Sequence, residues 1–185
     1  MEEANCITFT NRFQGVEAQL IDLFRETFAA SEGVAEGALI GNFVNSLLKT
    51  TAQNDIRVFI ATDRGELIGA AIFTRLTYAR DPRTVFILSP MAVATRRQQQ
   101  GIGQALLTHA LEELRKAGVA VAMTYGDPAF YGKIGFIPVS ETVMPAPLPL
   151  SQPQGWIGQS LTDQALTSMQ GPVSCVAALN DPALW

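Results

Sequence analysis

The chain has 185 residues, 48% of them hydrophobic, and a formal net charge of −4. That length implies one domain with a sizeable core, and that composition excludes a disordered chain. The acidic balance argues against a nucleic-acid partner, which calls for a basic face, and tilts slightly toward a cationic substrate. Two cysteines at opposite ends, Cys6 and Cys175, and one histidine, His109, leave no metal-ligand spacing, so no metal site is expected. The acidic start Met1-Glu2-Glu3 is unlike a secretory signal, and no apolar run is long enough to span a bilayer. The expectation is a cytoplasmic protein with reduced thiols and no membrane partner.

In chain order, Ile7 to Thr10 reads as a short strand. Val16 to Ala29 and Ala38 to Leu48 carry apolar residues at helical spacing. An acidic loop with two glycines, Ser31 to Gly37, is expected between them. Arg57 to Thr62 and Glu66 to Tyr78 are strands joined by the hairpin turn Asp63-Arg64-Gly65. Thr84 to Val93 is a further strand, interrupted at Pro90, where proline cannot donate to a ladder and a bulge or unpaired segment is predicted. Gly103 to Ala117 is a helix stopped by Gly118, a usual residue just past a helix end. Val119 to Tyr125 is a strand. Asp127 caps a short helix with Pro128 at its first position. The helix ends near Gly132 to Gly135, and Phe136 to Pro138 starts another strand.

Seven of the ten prolines lie at or after position 138, so Val139 to Pro172 is expected to be mostly loop, wrapped over the core by Trp156, Ile157, Leu161 and Leu166. Val173 to Leu179 reads as a closing strand. The element order suggests an α/β or α+β sheet of mixed direction, with the helix 103–117 crossing between two parallel strands. The expected organisation is a core over 1–139 and a Pro-rich C-terminal extension over 140–185, packed on the same domain.

The most informative stretch runs from Ala92 to Leu107: a strand end, a short basic and amide-rich loop with two glycines, and an amphipathic helix. The first amides of a helix lack internal partners and the aligned peptide dipoles make that end positive, so the junction suits a phosphate. A structural connection with incidental glycines is the other reading. Two common nucleotide motifs fail on particular residues. Position 106 is Leu where a dinucleotide fingerprint needs a third glycine, and no Gly-Lys-Ser/Thr occurs.

Gln98-Gln99-Gln100-Gly101-Ile102-Gly103 resembles the Gln/Arg-x-x-Gly-x-Gly/Ala signature of the GNAT N-acetyltransferase superfamily. Gly126-Asp127-Pro128-Ala129-Phe130-Tyr131-Gly132-Lys133-Ile134-Gly135-Phe136 is similar to that family's second motif, in the form seen in its YhbS-like branch. The resemblance covers roughly Arg57 to Val139. It implies a mixed, mostly antiparallel sheet flanked by helices and splayed at the fourth and fifth strands. It also implies acetyl transfer from acetyl-CoA, as cosubstrate, to an amine by direct attack.

On that resemblance, the backbone of Gln99, Gln100, Gly101, Ile102, Gly103 and Gln104 would take the diphosphate. Met91, Ala92 and Val93 would pair with the pantetheine arm, and a backbone N–H there, Val93 first, would polarise the thioester carbonyl. Arg96 and Arg97 would add charge to the phosphates, unless they belong to a solvated basic loop. Tyr131 is the candidate general acid; a helix-end aromatic packed in the core is its alternative. No general base is evident. Ser89, Glu32 and Glu36 are candidates whose plainer readings are a structural hydroxyl and solvated acids. His109 falls at the edge of its helix, and Cys175 reads as a small buried hydrophobe. The acceptor is a small-molecule or protein amine, and a homodimer contact through the tail stays open. A sensor that binds acyl-CoA without transfer, and an interaction protein with no such ligand, are the competing functions.

Overall fold

The computed structural model describes residues 6–185. A mixed sheet carries helices on both faces. Its strands are β1 (Ile7–Thr10), β2 (Ile56–Asp63), β3 (Glu66–Tyr78), β4 (Val85–Val93), β5 (Val121–Tyr125), β6 (Ile137–Pro138), β7 (Trp156–Ser160) and β8 (Val173–Cys175). The order across the sheet is β1-β2-β3-β4-β5-β7-β6, with β8 paired to the far end of β3. All pairings are antiparallel except β4 with β5. The helices are α1 (Glu17–Glu32), α2 (Val34–Thr50), α3 (Ile102–Lys116) and α4 (Pro128–Tyr131).

Strand alternation divides the core in two. Val58, Ile60, Ala70, Ile72, Val85 and Ile87 face Leu20, Phe24, Phe43, Val44 and Leu47 of α1 and α2. Their neighbours Phe59, Ala61, Ala71, Phe73, Phe86 and Leu88 face Leu106, Leu107, Ala110, Leu111 and Leu114 of α3. The hairpin between β2 and β3 has Arg64 at φ 50° and Gly65 at φ 83°, the two positive angles that a tight two-residue turn needs. α3 ends as its sequence indicates, with Gly118 at φ 80°.

Two expectations needed correction, and a segment that is mostly loop, as expected, also holds a strand that its sequence did not show. The acidic loop between the first two helices is not there: α1 runs on through Glu32, α2 starts at Val34, and Gly33 alone makes the corner at φ 101°. The Pro-rich region contains a strand, β7, which pairs along the whole of β5 from Val121↔Ser160 to Tyr125↔Trp156. Its two-sided burial hides the alternation that would have marked it as a strand. The closing strand is shorter, because Ala177–Leu179 coil into a 3-10 turn. It covers the part of β3 that outruns β2, pairing Leu76↔Cys175 and Tyr78↔Val173.

The tail does wrap over the core. Met144, Trp156, Met169, Leu179 and Trp185 are buried with α1 and α2. One ion pair ties it down. Arg83 donates to both carboxylate oxygens of Asp81 at 2.8 and 2.7 Å, and also to Thr167 and to the Ser168 carbonyl, while Asp81 receives the Gln170 amide. Hydrogen bonding from Arg83 holds the Asp81 carboxyl down at about 2. A folded-state value below the ordinary 3.8 means that this contribution is complete above that pH and is lost as the pH falls through about 2. Asp81→Asn is therefore expected to lower stability at neutral pH. Urea titrations at a series of pH values should show the gap to wild type closing between about pH 4 and pH 2.

Candidate active site

The site begins where β4 changes partner and face. From Val85 to Leu88 the strand is paired with β5; among the described residues, no β5 partner is found from Ser89 onward. At the same place the register against β3 slips, with Leu88 opposite Phe73 and Met91 opposite Ala71. Ile72 thus faces two residues, Ser89 and Pro90, joined by a cis peptide bond. A one-residue bulge reverses which face each later side chain takes. Phe86 and Leu88 lie on the α3 side, yet beyond the bulge Ala92 lies on the α1 side and Met91 and Val93 on the α3 side.

The bulge also sets the backbone. The Ala94 amide donates to the Ile68 carbonyl at 2.9 Å, which makes Val93↔Gly69 a non-hydrogen-bonded pair. The N–H and C=O groups of Val93, and by the same alternation those of Met91, therefore point away from β3 into the opened gap. The Gln98 side chain donates to the Val93 carbonyl at 3.0 Å, so the N–H of Val93 is the group left facing the gap.

The loop after β4 delivers the head of α3 to this gap. Gln99 at φ 61° and Gly101 at φ 77° turn the chain through left-handed conformations, aiming successive amides to one side. Among the described residues, the N–H groups of Gln99, Gln100, Gly101, Ile102, Gly103 and Gln104 find no acceptor in the protein. The first internal donor is Ala105, to Gly101 at 3.0 Å. Gly103 lies close against β4: a Cβ there would stand 2.8 Å from the terminal methyl of Met91, a flexible end that can move aside, and at ordinary contact distance, 3.5 Å, from Val93 and Phe130.

On the far side of the gap, Asp127 caps α4 by accepting the Ala129 amide at 2.9 Å, as its sequence indicates. This places Tyr131 edge-on between Phe130 and Phe136, with ring centroids 5.0 and 5.7 Å away. The ring lies close over Gly126, where any Cβ would be 2.7 Å from it. Burial, with a smaller push from Asp127, raises the Tyr131 phenol to about 12, against the pull of the Thr124 hydroxyl beside it.

A cleft of about 620 Å³ joins these parts. Met91, Ala92, Val93, Gln99, Gly101, Ile102, Gly103, Gln104 and Tyr131 all line it. Gln100 does not: its side chain accepts from Arg97 at 3.1 Å and donates to the Arg96 carbonyl at 3.4 Å. The two arginines are engaged rather than free. Arg96 pairs with Glu66, and Arg97 with Asp63 at 2.8 Å, where both partners are largely buried. Arg97 nonetheless lines the cleft, and so does a second positive side chain, Lys133, which the sequence reading missed although it sits inside the second motif. Glu32 lines this cleft, and Glu36 and Ser89 line a smaller pocket beyond it. His109 stacks on Phe9 at 5.9 Å, away from the cleft. Cys175 is half-buried in β8 with its thiol pushed up by burial. Among the described residues, no cluster of three His, Cys, Asp or Glu could hold a metal ion, and no helix is long and apolar enough to cross a membrane.

An open mixed sheet, its single parallel pair parted beside a helix with free leading amides, is the architecture of an acetyl-CoA-dependent acyltransferase. The chain belongs to the GNAT N-acetyltransferase family. The acetyltransferase (GNAT) domain model matches residues 54–138. An uncharacterized N-acetyltransferase of Escherichia coli K12, YjhQ, is 31% identical over 139 residues, covering 72% of this chain and 76% of the relative. YhbS of the same strain is 32% identical over 78 residues, 42% of this chain and 47% of YhbS. The fold is shared with the crystal structure of E. coli YhbS in complex with CoA, at a TM-score of 0.81 and 23% identity over 98% of this chain and 96% of that one. It is also shared with a Brucella melitensis GNAT acetyltransferase in complex with acetyl-CoA, at a TM-score of 0.73 and 20% identity over 94% and 98%.

The packing at the head of α3 yields a direct test. Gly103→Val is expected to cost about 1–3 kcal/mol through overpacking against Met91 and Phe130. Gly132→Ala, at a helical position with open space around it, is expected to be neutral or slightly stabilising. Urea unfolding of the two variants, with far-UV circular dichroism as the signal, checks both.

Proposed function

We propose that this protein transfers the acetyl group of acetyl-CoA to a primary amine by direct attack. The observation that carries the reading is the alignment of two sets of unused backbone groups: the six free amides from Gln99 to Gln104 and the unpaired edge of β4 at Met91 and Val93. A diphosphate fits the first set, as an anion at a helix N-terminus whose amides have no other acceptor. Lys133 adds positive charge at the cleft. An extended amide-bearing arm fits the second set, pairing with β4 as a further strand would.

With the arm so placed, the Val93 N–H donates to the thioester carbonyl oxygen as negative charge develops there. The amine nitrogen supplies the pair that forms the C–N bond, and the C–S bond breaks with its pair left on sulfur. Tyr131 donates its proton to that sulfur and is restored by a proton from the new amide nitrogen. With a protonated amine as the starting form, one further proton leaves to the surroundings. A phenol raised to about 12 keeps its proton over the whole working pH range. Direct transfer is favoured over an acyl-enzyme because neither cysteine lines the cleft and the one histidine is stacked on Phe9.

Tyr131→Phe is expected to lower kcat by about 10²-fold, the usual size of a general-acid contribution, with the affinity for acetyl-CoA kept. Acetyl-CoA at a hundred times its dissociation constant should stabilise wild type and variant alike by about 2.7 kcal/mol. Thiol release measured against a panel of amines, alongside thermal melts, separates the effects. An unchanged kcat removes Tyr131 from the chemistry. A thermal shift with no thiol release for any amine points to a sensor.

A further inference from the structure

The pairing of β4 with β5 ends at Leu88↔Thr124. Thr124 is buried, only 1% exposed, and its hydroxyl donates to the Leu88 carbonyl at 3.1 Å. Gly126, two residues on and in line with it on the same face, is the position that admits the Tyr131 ring. The ring therefore lies over the part of the chain that carries Thr124, and both residues line the small pocket beyond the cleft. The Thr124 hydroxyl favours the ionised form of the phenol, against the burial that disfavours it.

Resting on the reading of Tyr131 as general acid, we infer that Thr124 is a positioning residue for the proton transfer: its hydroxyl turns from the Leu88 carbonyl to the Tyr131 oxygen as that oxygen gives its proton to sulfur. A hydroxyl has one proton and two lone pairs. At rest the Thr124 proton is spent on Leu88, so Thr124 offers the phenol only a lone pair, which the phenol O–H meets. Once the phenol proton has gone to sulfur, the phenolate can only accept and needs a donor. Rotation about the Cβ–Oγ1 bond supplies it, and no covalent bond of Thr124 forms or breaks. The Leu88 carbonyl regains the donor when the proton from the new amide nitrogen restores Tyr131. A phenolate without a donor is costly in a buried site, and a hydroxyl already in place lowers that cost without rearrangement of solvent.

The residue type and its place both suit the role. A β-branched side chain on a strand has few rotamers, so the Thr124 oxygen is fixed while its proton is free to turn. Leu88 is the last residue before the Ser89–Pro90 bulge. One hydroxyl thus stands between the carbonyl at the fork of the two strands and the acid that works in the gap they open. The other tyrosine hydroxyl of the pocket, that of Tyr125, is taken by Ser151 and the Gln152 amide, at 2.9 and 2.6 Å.

The experiment is a double-mutant cycle read by thiol release, with the amine that reacts fastest in the panel. Thr124→Val replaces the hydroxyl by a methyl group and is expected to lower kcat about tenfold, as loss of a hydrogen bond to a charged group would, with KM for acetyl-CoA unchanged. Thr124→Ala removes the hydroxyl without adding a methyl and serves as a second variant, and urea unfolding shows that each variant is folded. Thr124→Ser keeps the hydroxyl and is expected to recover at least about a third of the wild-type kcat. In the Tyr131→Phe background, where no phenolate forms, Thr124→Val is expected to change kcat by less than about twofold. An unchanged kcat in both Thr124→Val and Thr124→Ala overturns the inference, as does a lack of recovery in Thr124→Ser. An equal loss in the Tyr131→Phe background also overturns it, since Thr124 then only supports β4. In each of these cases the role of Tyr131 stands. An unchanged kcat in Tyr131→Phe alone overturns the general-acid reading and this inference with it, and thiol release for no amine in wild type overturns the acetyl-transfer reading itself.

Discussion

The structure turns on one local event, the parting of β4 from β5 at Ser89–Pro90. Up to Leu88 the strand spends its hydrogen-bonding capacity on β3 and β5, as a central strand must. Beyond the bulge it keeps β3 and gives up β5, so the groups of Met91 and the N–H of Val93 on that side face open space, the Val93 carbonyl being taken by the Gln98 side chain. An unpaired edge in the middle of a sheet is costly unless water or a ligand satisfies it. The same added residue turns Met91 and Val93 onto the α3 side. Without it they would face α1, away from the head of α3.

In the proposed complex, backbone groups make most of the polar contacts to the coenzyme. The loop from Thr95 to Gly101 contributes conformation as well as the charge of Arg97 at the cleft, and the Arg97–Asp63 pair holds the loop against the β2–β3 hairpin. That anchoring keeps the leading amides of α3 fixed relative to the edge of β4, which is the condition for preorganised binding at low entropic cost. Tyr131 is held to a comparable standard by different means: a capped helical turn, two aromatic neighbours, and a glycine that admits the ring.

The region after position 139 does two things that its composition hides. Its Pro-rich stretches carry β7, which occupies the side of β5 away from β4 and so completes the sheet. Its last residues close the pocket beyond Tyr131 and Met91. The Asp81–Arg83 pair, reaching Thr167, Ser168 and Gln170, fixes the middle of this segment against the end of β3. The tail thus extends the sheet on one side and lines a pocket beside the cleft on the other, and the two are joined through Trp185, whose ring meets both Tyr125 and Trp156.

Local chemistry was legible in the residues themselves. Pro90 marked the bulge because proline lacks an N–H; Asp127-Pro128 marked the start of α4 by capping; Gly118 marked the end of α3; and the Gln98–Gly103 signature pointed to the head of that helix as an anion site. These features act over a few residues, so sequence alone determined them, together with the family and the mixed sheet. The strand β7, the engagement of Arg96 and Arg97, the approach of Lys133 to the cleft, and the joining of Glu36 and Leu184 in one pocket were decided only by tertiary structure. Each depends on partners distant in the chain, and burial on both faces or an ion pair across the sheet leaves no periodic trace in a single sequence.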